Sequence, residues 1–161
     1  MDSKAKALGH PVHPMLIVFP LGLLVTAAIF DILHLITGGS GFPIAAAYAI
    51  AAGIVGGLVA GVFGLIDWVA IPARSRAKRV GAIHGIGNVV VLLLFAGSWL
   101  LRTTTDWVPT VPALILSFAG VLLGAVTGWL GGELVDRLGV GVDEGAHVNA
   151  PSSLSGGPAT R

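Results

Sequence analysis

Apolar residues fill four long blocks, separated by short polar or basic interruptions. Met15 to Phe30 carries no charge and continues past Asp31 to about Ile36. Phe42 to Ile66, Gly85 to Leu101 and Trp107 to Gly132 complete the set. About 20 residues cross the hydrocarbon of a bilayer at a rise of about 1.5 Å each, so every block is long enough to span. The pattern predicts an all-α polytopic membrane protein. Its four-helix transmembrane bundle occupies residues 1–142, with spans at about 14–36, 43–70, 83–102 and 111–134. From Asp143 the chain turns polar (Glu144, then Pro151-Ser152-Ser153 and Gly156-Gly157-Pro158), which predicts a disordered cytoplasmic tail over 143–161.

Composition agrees with the pattern. Of 161 residues, 55% are hydrophobic and 11% are charged, and the mean hydropathy is +0.91. A soluble domain carries about 25% charged residues to cover its surface, so this chain belongs in lipid. A net charge of +1 gives no footprint for nucleic acid, and the absence of cysteine excludes disulfides, thiol catalysis and Cys-ligated clusters. Lys4 and Lys6 precede the first block, as in a signal peptide. However, the apolar run exceeds the usual ~7–15 residues, so an uncleaved helix is expected.

Lys4, Lys6, Arg74, Arg76, Lys78 and Arg79 flank the same ends of the spans. The positive-inside rule therefore places both termini and the basic loop in the cytoplasm. The loop reads as a topology determinant rather than a lipid or nucleic-acid patch. Trp68 and Trp129 on one side, with Trp99 and Trp107 on the other, form the expected aromatic belts. Pro14 suits a first helical turn, whereas Pro20 removes a backbone donor inside the first span and predicts a kink.

A repeat underlies the blocks. Gly53, Gly57 and Gly61 follow His13 by 40, 44 and 48 residues, and Gly124, Gly128 and Gly132 follow His84 by the same intervals, giving an offset of 71. Two copies of a helical hairpin, each carrying one histidine, would produce this. Glycines four apart let helices approach closely in lipid, either within the bundle, in a homo-oligomer joined through the glycine faces, or around a flat cofactor.

Few ionisable groups lie at membrane depth, and such groups normally face the bundle interior and pair. His10, His13, Asp67, His84 and Glu133 should gather at the cytoplasmic end. Asp31 and His34, three apart on one helix, should form a polar pair at the other. Asp67 is expected to accept from the third span or to pair with the basic loop, and His147 to be solvated. His13 and His84 are candidate axial ligands of haem b, since paired imidazoles can hold its iron. With Asp67, Glu133 or His10 they could instead hold a transition metal. A proton path and a purely structural role are the other readings. No motif of independent catalysis, such as His-Glu-x-x-His or a serine elbow, is visible.

The chain resembles a bacterial membrane family known as domain of unknown function 2231. The resemblance runs over about residues 9–142. It rests on His10-Pro11-x-His13-Pro14 with Phe19-Pro20 and Asp31, Gly64-Leu65-Ile66-Asp67, His84, and Gly131-Gly132-Glu133-Leu134-Val135 leading to Gly139-Val140-Gly141-Val142. It implies a four-helix inner-membrane protein. Some members carry a fused Rieske-type iron–sulfur domain, which implies contact with electron transfer. This chain has no cysteine, so any iron–sulfur partner would be a separate electron-transfer protein.

Overall fold

The computed structural model describes residues 1–155, and the part of the expected tail at 156–161 lies outside the described residues. A short hairpin, β1 (Lys6–Ala7) against β2 (His10–Pro11), leads into the helices. These are α1 (Val12–Leu16), α2 (Val18–Thr37), α3 (Gly41–Ala70), α4 (Arg76–Arg102) and α5 (Val111–Gly132). With α1 and α2 running on as one, four segments among the described residues are long and apolar enough to cross a membrane. The α1–α2 junction falls at Ile17, three residues before Pro20. Proline has no N–H to offer the Leu16 carbonyl, so the ladder is interrupted there.

The third span begins at Arg76, seven residues before the expected edge at 83. Ser75 caps it, its Oγ accepting from Lys78 N at 3.0 Å. Arg76, Lys78 and Arg79 therefore belong to the first turn of α4 rather than to a loop. Lys78 also reaches back, its Nζ donating to Trp68 O at 2.7 Å and lying 4.0 Å from the Trp68 ring centroid. Trp68 O also accepts from Ile71 N at 3.1 Å, so Lys78 adds a second donor there and a further one to Val69 O at 3.2 Å, at the C-terminal end of α3.

α2 packs on α3 and α4 on α5, while α3 meets α4 and α2 meets α5, so the helices form a ring with α2 and α4 on a diagonal. The core is narrow: Leu24, Ala27, Ala46, Ala49, Ile50, Val91 and Phe95 fill it. Alanine and glycine at the contacts let the backbones close up, which replaces the hydrophobic drive missing in lipid. Larger apolar side chains such as Ile36, Ile86, Leu93 and Leu122 point outward. On a water-facing surface they would be a liability; around a membrane bundle they meet acyl chains.

The repeat is real in its contacts, but its register differs from the one that glycine spacing indicates. His13 touches the Gly64 position and His84 the Gly131 position; Leu24 packs at Gly53 and Phe95 at Gly120. The first helices of the two hairpins are thus related by 71 residues and the second helices by 67, so Gly53 corresponds to Gly120, not Gly124. Glycines four apart are ambiguous by one helical turn, and only the packing partner fixes the register. Gly61, Gly124, Gly128 and Gly132 have open space where a Cβ would be.

α5 passes into a π-helical turn, Glu133–Arg137, closed by Leu138 N donating to Glu133 O at 3.2 Å. Gly139 and Gly141 then adopt φ of +63° and +80°, a left-handed geometry that side chains resist. This reverses the chain over the bundle end. There Met1 N donates to Gly139 O and Gly141 N to Met1 O, both at 2.9 Å. The tail does not leave at once. Lys6 Nζ lies 2.6 Å from Asp143 Oδ1, and Ser153 Oγ lies 3.2 Å from His10 Nε2. Hydrogen bonding to Lys6 holds the Asp143 carboxyl below its ordinary pKa, and Asp143 raises that of Lys6. His147, expected to be solvated, is half-buried with Nδ1 accepting from Asn149 N at 3.2 Å.

Candidate functional site

Two polar centres occupy opposite ends of the ring. At the end that carries the N-terminus and the exit of α5, His13 on α1 and His84 on α4 meet with ring centroids 6.3 Å apart and planes at 86°. Each is anchored to the second helix of its own hairpin: His13 Nδ1 to Ala60 O and His84 Nδ1 to Thr127 O, both at 2.8 Å. A carbonyl only accepts, so Nδ1 carries a proton in both rings, and in the neutral imidazole each Nε2 is the acceptor. Glycine makes the approach possible. A Cβ on Gly64 would stand 2.9 Å from His13 Cε1, and one on Gly131 would stand 3.2 Å from His84 Cε1.

The surroundings of the two Nε2 atoms differ. Asn88, one turn along α4, brings its Nδ2 to 3.2 Å from His84 Nε2 and donates to His84 O at 2.9 Å, while its Oδ1 accepts from Thr127 Oγ1 at 3.0 Å. Among the described residues, His13 Nε2 has no such partner.

The other groups expected here do not join the histidines. Among the described residues, the Asp67 carboxylate neither accepts from α4 nor pairs with basic side chains. It is enclosed by the chain ahead of the hairpin, accepting from Ser3 Oγ at 2.8 and 2.9 Å and from Lys4 N at 2.7 Å. Backbone N–H groups near a chain turn suit a carboxylate well, and no periodicity reveals so distant a partner. Glu133 is taken by Arg76 at 2.6 Å, because the π-turn carries it to the start of α4. His10 sits in the hairpin against Ser153. Among the described residues no three His, Asp or Glu side chains converge as a metal set would. The donor set is two imidazoles. That fits axial ligation of haem iron and falls short of the four ligands of a closed zinc site.

At the opposite end the expected Asp31–His34 pair does not form. His34 Nδ1 turns to Gly39 O at 3.1 Å, closing the end of its own helix. Asp31 instead faces Arg102 across the diagonal, with Nη1 to Oδ1 at 2.7 Å and Nη2 to Oδ2 at 2.6 Å, both side chains fully buried. Ser98 and Ser117 complete the set: Arg102 Nη2 lies 3.3 Å from each hydroxyl, and Ser98 Oγ donates to Ala113 O at 2.8 Å. Arg102 is the residue that sequence reasoning missed. The signal existed, since Arg102 follows Asp31 by the same 71 positions that separate the histidines. Positions equivalent in the two hairpins that touch each other must lie on the axis relating them, and both polar centres do.

The family described as predicted membrane protein (DUF2231) matches residues 9–144. The chain belongs to that family. No curated protein and no solved structure matches it. The DUF2231 stretch opens just before His10 and closes just after the Gly139–Val142 reversal, so it contains both polar centres and both hairpins.

Proposed function

We propose that this DUF2231 protein is a haem-binding, redox-associated subunit of the bacterial inner membrane, with its ligand centre at the His13–His84 pair and no independent catalysis. One observation carries the reading. Two imidazoles from separate hairpins meet on the axis of the bundle, each with Nδ1–H fixed to a backbone carbonyl at 2.8 Å. A bond of that kind sets the tautomer and orientation of ligating histidines. A transition metal held with Asp67, Glu133 or His10 is disfavoured, because those side chains have other partners. The basic start of α4 favours a cytoplasmic position for this end, within reach of a separate electron-transfer protein. The open glycines at Gly124 and Gly128 offer a face for a second copy.

The test is an optical spectrum with metal analysis of the detergent-purified full chain, and of the His13→Ala/His84→Ala double variant. A Soret band present in the first and lost in the second supports the proposal; a colourless, metal-free wild type refutes it.

A second reading, a structural or assembly subunit without cofactor, is favoured by the fully buried Asp31–Arg102 pair, which joins the two hairpins irrespective of any ligand. A proton path finds less support. The apolar cluster of Leu24, Ile50, Val91 and Phe95 fills the level between the two polar centres.

A further inference from the structure

We infer that the histidine pair is functionally unequal: His13 Nε2 is the ligating nitrogen, and His84 is a positioning residue whose own Nε2 is sealed by Asn88. The inference rests on the reading of the pair as a ligand centre, and replaces its two equivalent ligands with one.

The orientation of Asn88 decides the matter. An amide can be turned end for end, exchanging oxygen and nitrogen. Here the turn is forbidden, because the backbone carbonyl of His84 lies 2.9 Å from Asn88 Nδ2. Turning the amide would set oxygen against oxygen. The NH2 group is therefore fixed, and it also faces His84 Nε2 at 3.2 Å. The remaining amide oxygen is used as well: the Thr127 hydroxyl shares its one proton between that oxygen and Gly124 O, each at 3.0 Å. Thr127 is a buried residue, and its carbonyl also holds His84 Nδ1. Both nitrogens of His84 are engaged by groups that hold one another in place.

His13 has no counterpart of this lock. The position equivalent to Asn88, one turn beyond His13, is Ile17, whose side chain has no donor. The equivalent of Thr127 is Ala60, which supplies the carbonyl but no hydroxyl. The two repeats have thus kept the Nδ1 anchor and differ in what faces Nε2. His84, packed edge-on against His13, limits how that ring can turn.

Two measurements on the full chain in detergent test this. The first is carbethoxylation by diethyl pyrocarbonate, which attacks an unprotonated, unengaged imidazole nitrogen, resolved by peptide mass spectrometry. His13 should label faster than His84, and Asn88→Ala should accelerate His84. Equal labelling of the two in the wild type overturns the inference. The second is titration with haemin, read by absorption and electron paramagnetic resonance. The wild type should give a five-coordinate, high-spin species, and His13→Ala should abolish it. His84→Ala should weaken affinity by about 10–100-fold without changing spin state, with His84→Gln restoring part of the loss. Asn88→Ala should convert the spectrum to six-coordinate low spin by freeing a second imidazole. A low-spin wild-type complex overturns the inference and leaves haem binding standing. Failure of haemin to bind at all removes the haem reading, while the labelling result still decides which nitrogen is open.

Discussion

Replacing Asp31 by leucine should be among the most damaging single changes this bundle can suffer. The substitution leaves a guanidinium with no exposure to solvent and only the hydroxyls of Ser98 and Ser117, at 3.3 Å, to receive its protons. Breaking one side of a buried pair costs about 3–5 kcal/mol, because the remaining charge is uncompensated. At about 1.4 kcal/mol per tenfold, the folding equilibrium should shift by at least a hundredfold. Arg102→Met should cost about as much, since the Asp31 carboxylate then loses both of its short donors. The double variant should be milder than either single one, because replacing both charges by apolar groups is often neutral or better. The local geometry supports this outcome. Ser98 keeps its bond to Ala113 O at 2.8 Å and its contact with Ser117 at 2.8 Å, so no hydroxyl is orphaned when both charges go. Unfolding in mixed micelles, followed by tryptophan fluorescence, gives all four corners of the cycle. Single variants that each lose under about 1 kcal/mol, or a double variant that loses the sum of the two, would refute the account of the pair as a buried diagonal tie.

Other contacts set further outcomes. Gly120→Ala should destabilise by about 1–3 kcal/mol, because its Cβ would lie 2.7 Å from the buried Phe95 ring. Gly124→Ala, which meets nothing within 4 Å, should be neutral or stabilise the monomer by about 0.5–1 kcal/mol. The unfolding midpoints of the two variants compare them directly, and weakened self-association in Gly124→Ala would identify that face as an oligomer contact. Asp67→Ala should release the chain ahead of the hairpin by removing the acceptor of Ser3 Oγ and Lys4 N. Amide exchange of residues 3–5 should rise sharply while α2 to α5 keep their protection; unchanged exchange there would count against the enclosure. The Lys6–Asp143 tie should be insensitive to pH across the physiological range. Its carboxyl is lowered from 3.8, so that contribution is present above 3.8 and fades only as pH falls through the lower folded value. Its ammonium is raised from 10.5, so that contribution is present below 10.5 and fades only as pH rises through the higher folded value. Because the pair is exposed, salt should loosen it instead. A spin-label distance between the hairpin and the tail that changes between about pH 6 and 9 at fixed salt would contradict this assignment.

Hydropathy alone determined that this chain builds four membrane helices, because a bilayer admits few other ways of satisfying the backbone. The sequence also located the Pro20 interruption, the paired histidines and the hairpin repeat. Span edges were less legible where charges lie in a helical turn, as at Arg76 to Arg79, since capping by Ser75 and not apolarity sets that boundary. Partners of polar groups were legible only where symmetry pointed to them. His13 and His84 meet because equivalent positions on diagonal helices face the axis, and Asp31 finds Arg102 for the same reason. The local pairing of Asp31 with His34 lost because His34 closes its own helix end at Gly39, while a bidentate arginine was within reach across the bundle. Three matters were left to the tertiary structure: the glycine register, the enclosure of Asp67 and the seal of Asn88 on His84. The first two depend on contacts between segments far apart in the chain, and the third on which way the Asn88 amide turns, which His84 O and the Thr127 hydroxyl of the facing helix decide together. A spacing of four residues reads the same whichever turn of that helix it meets.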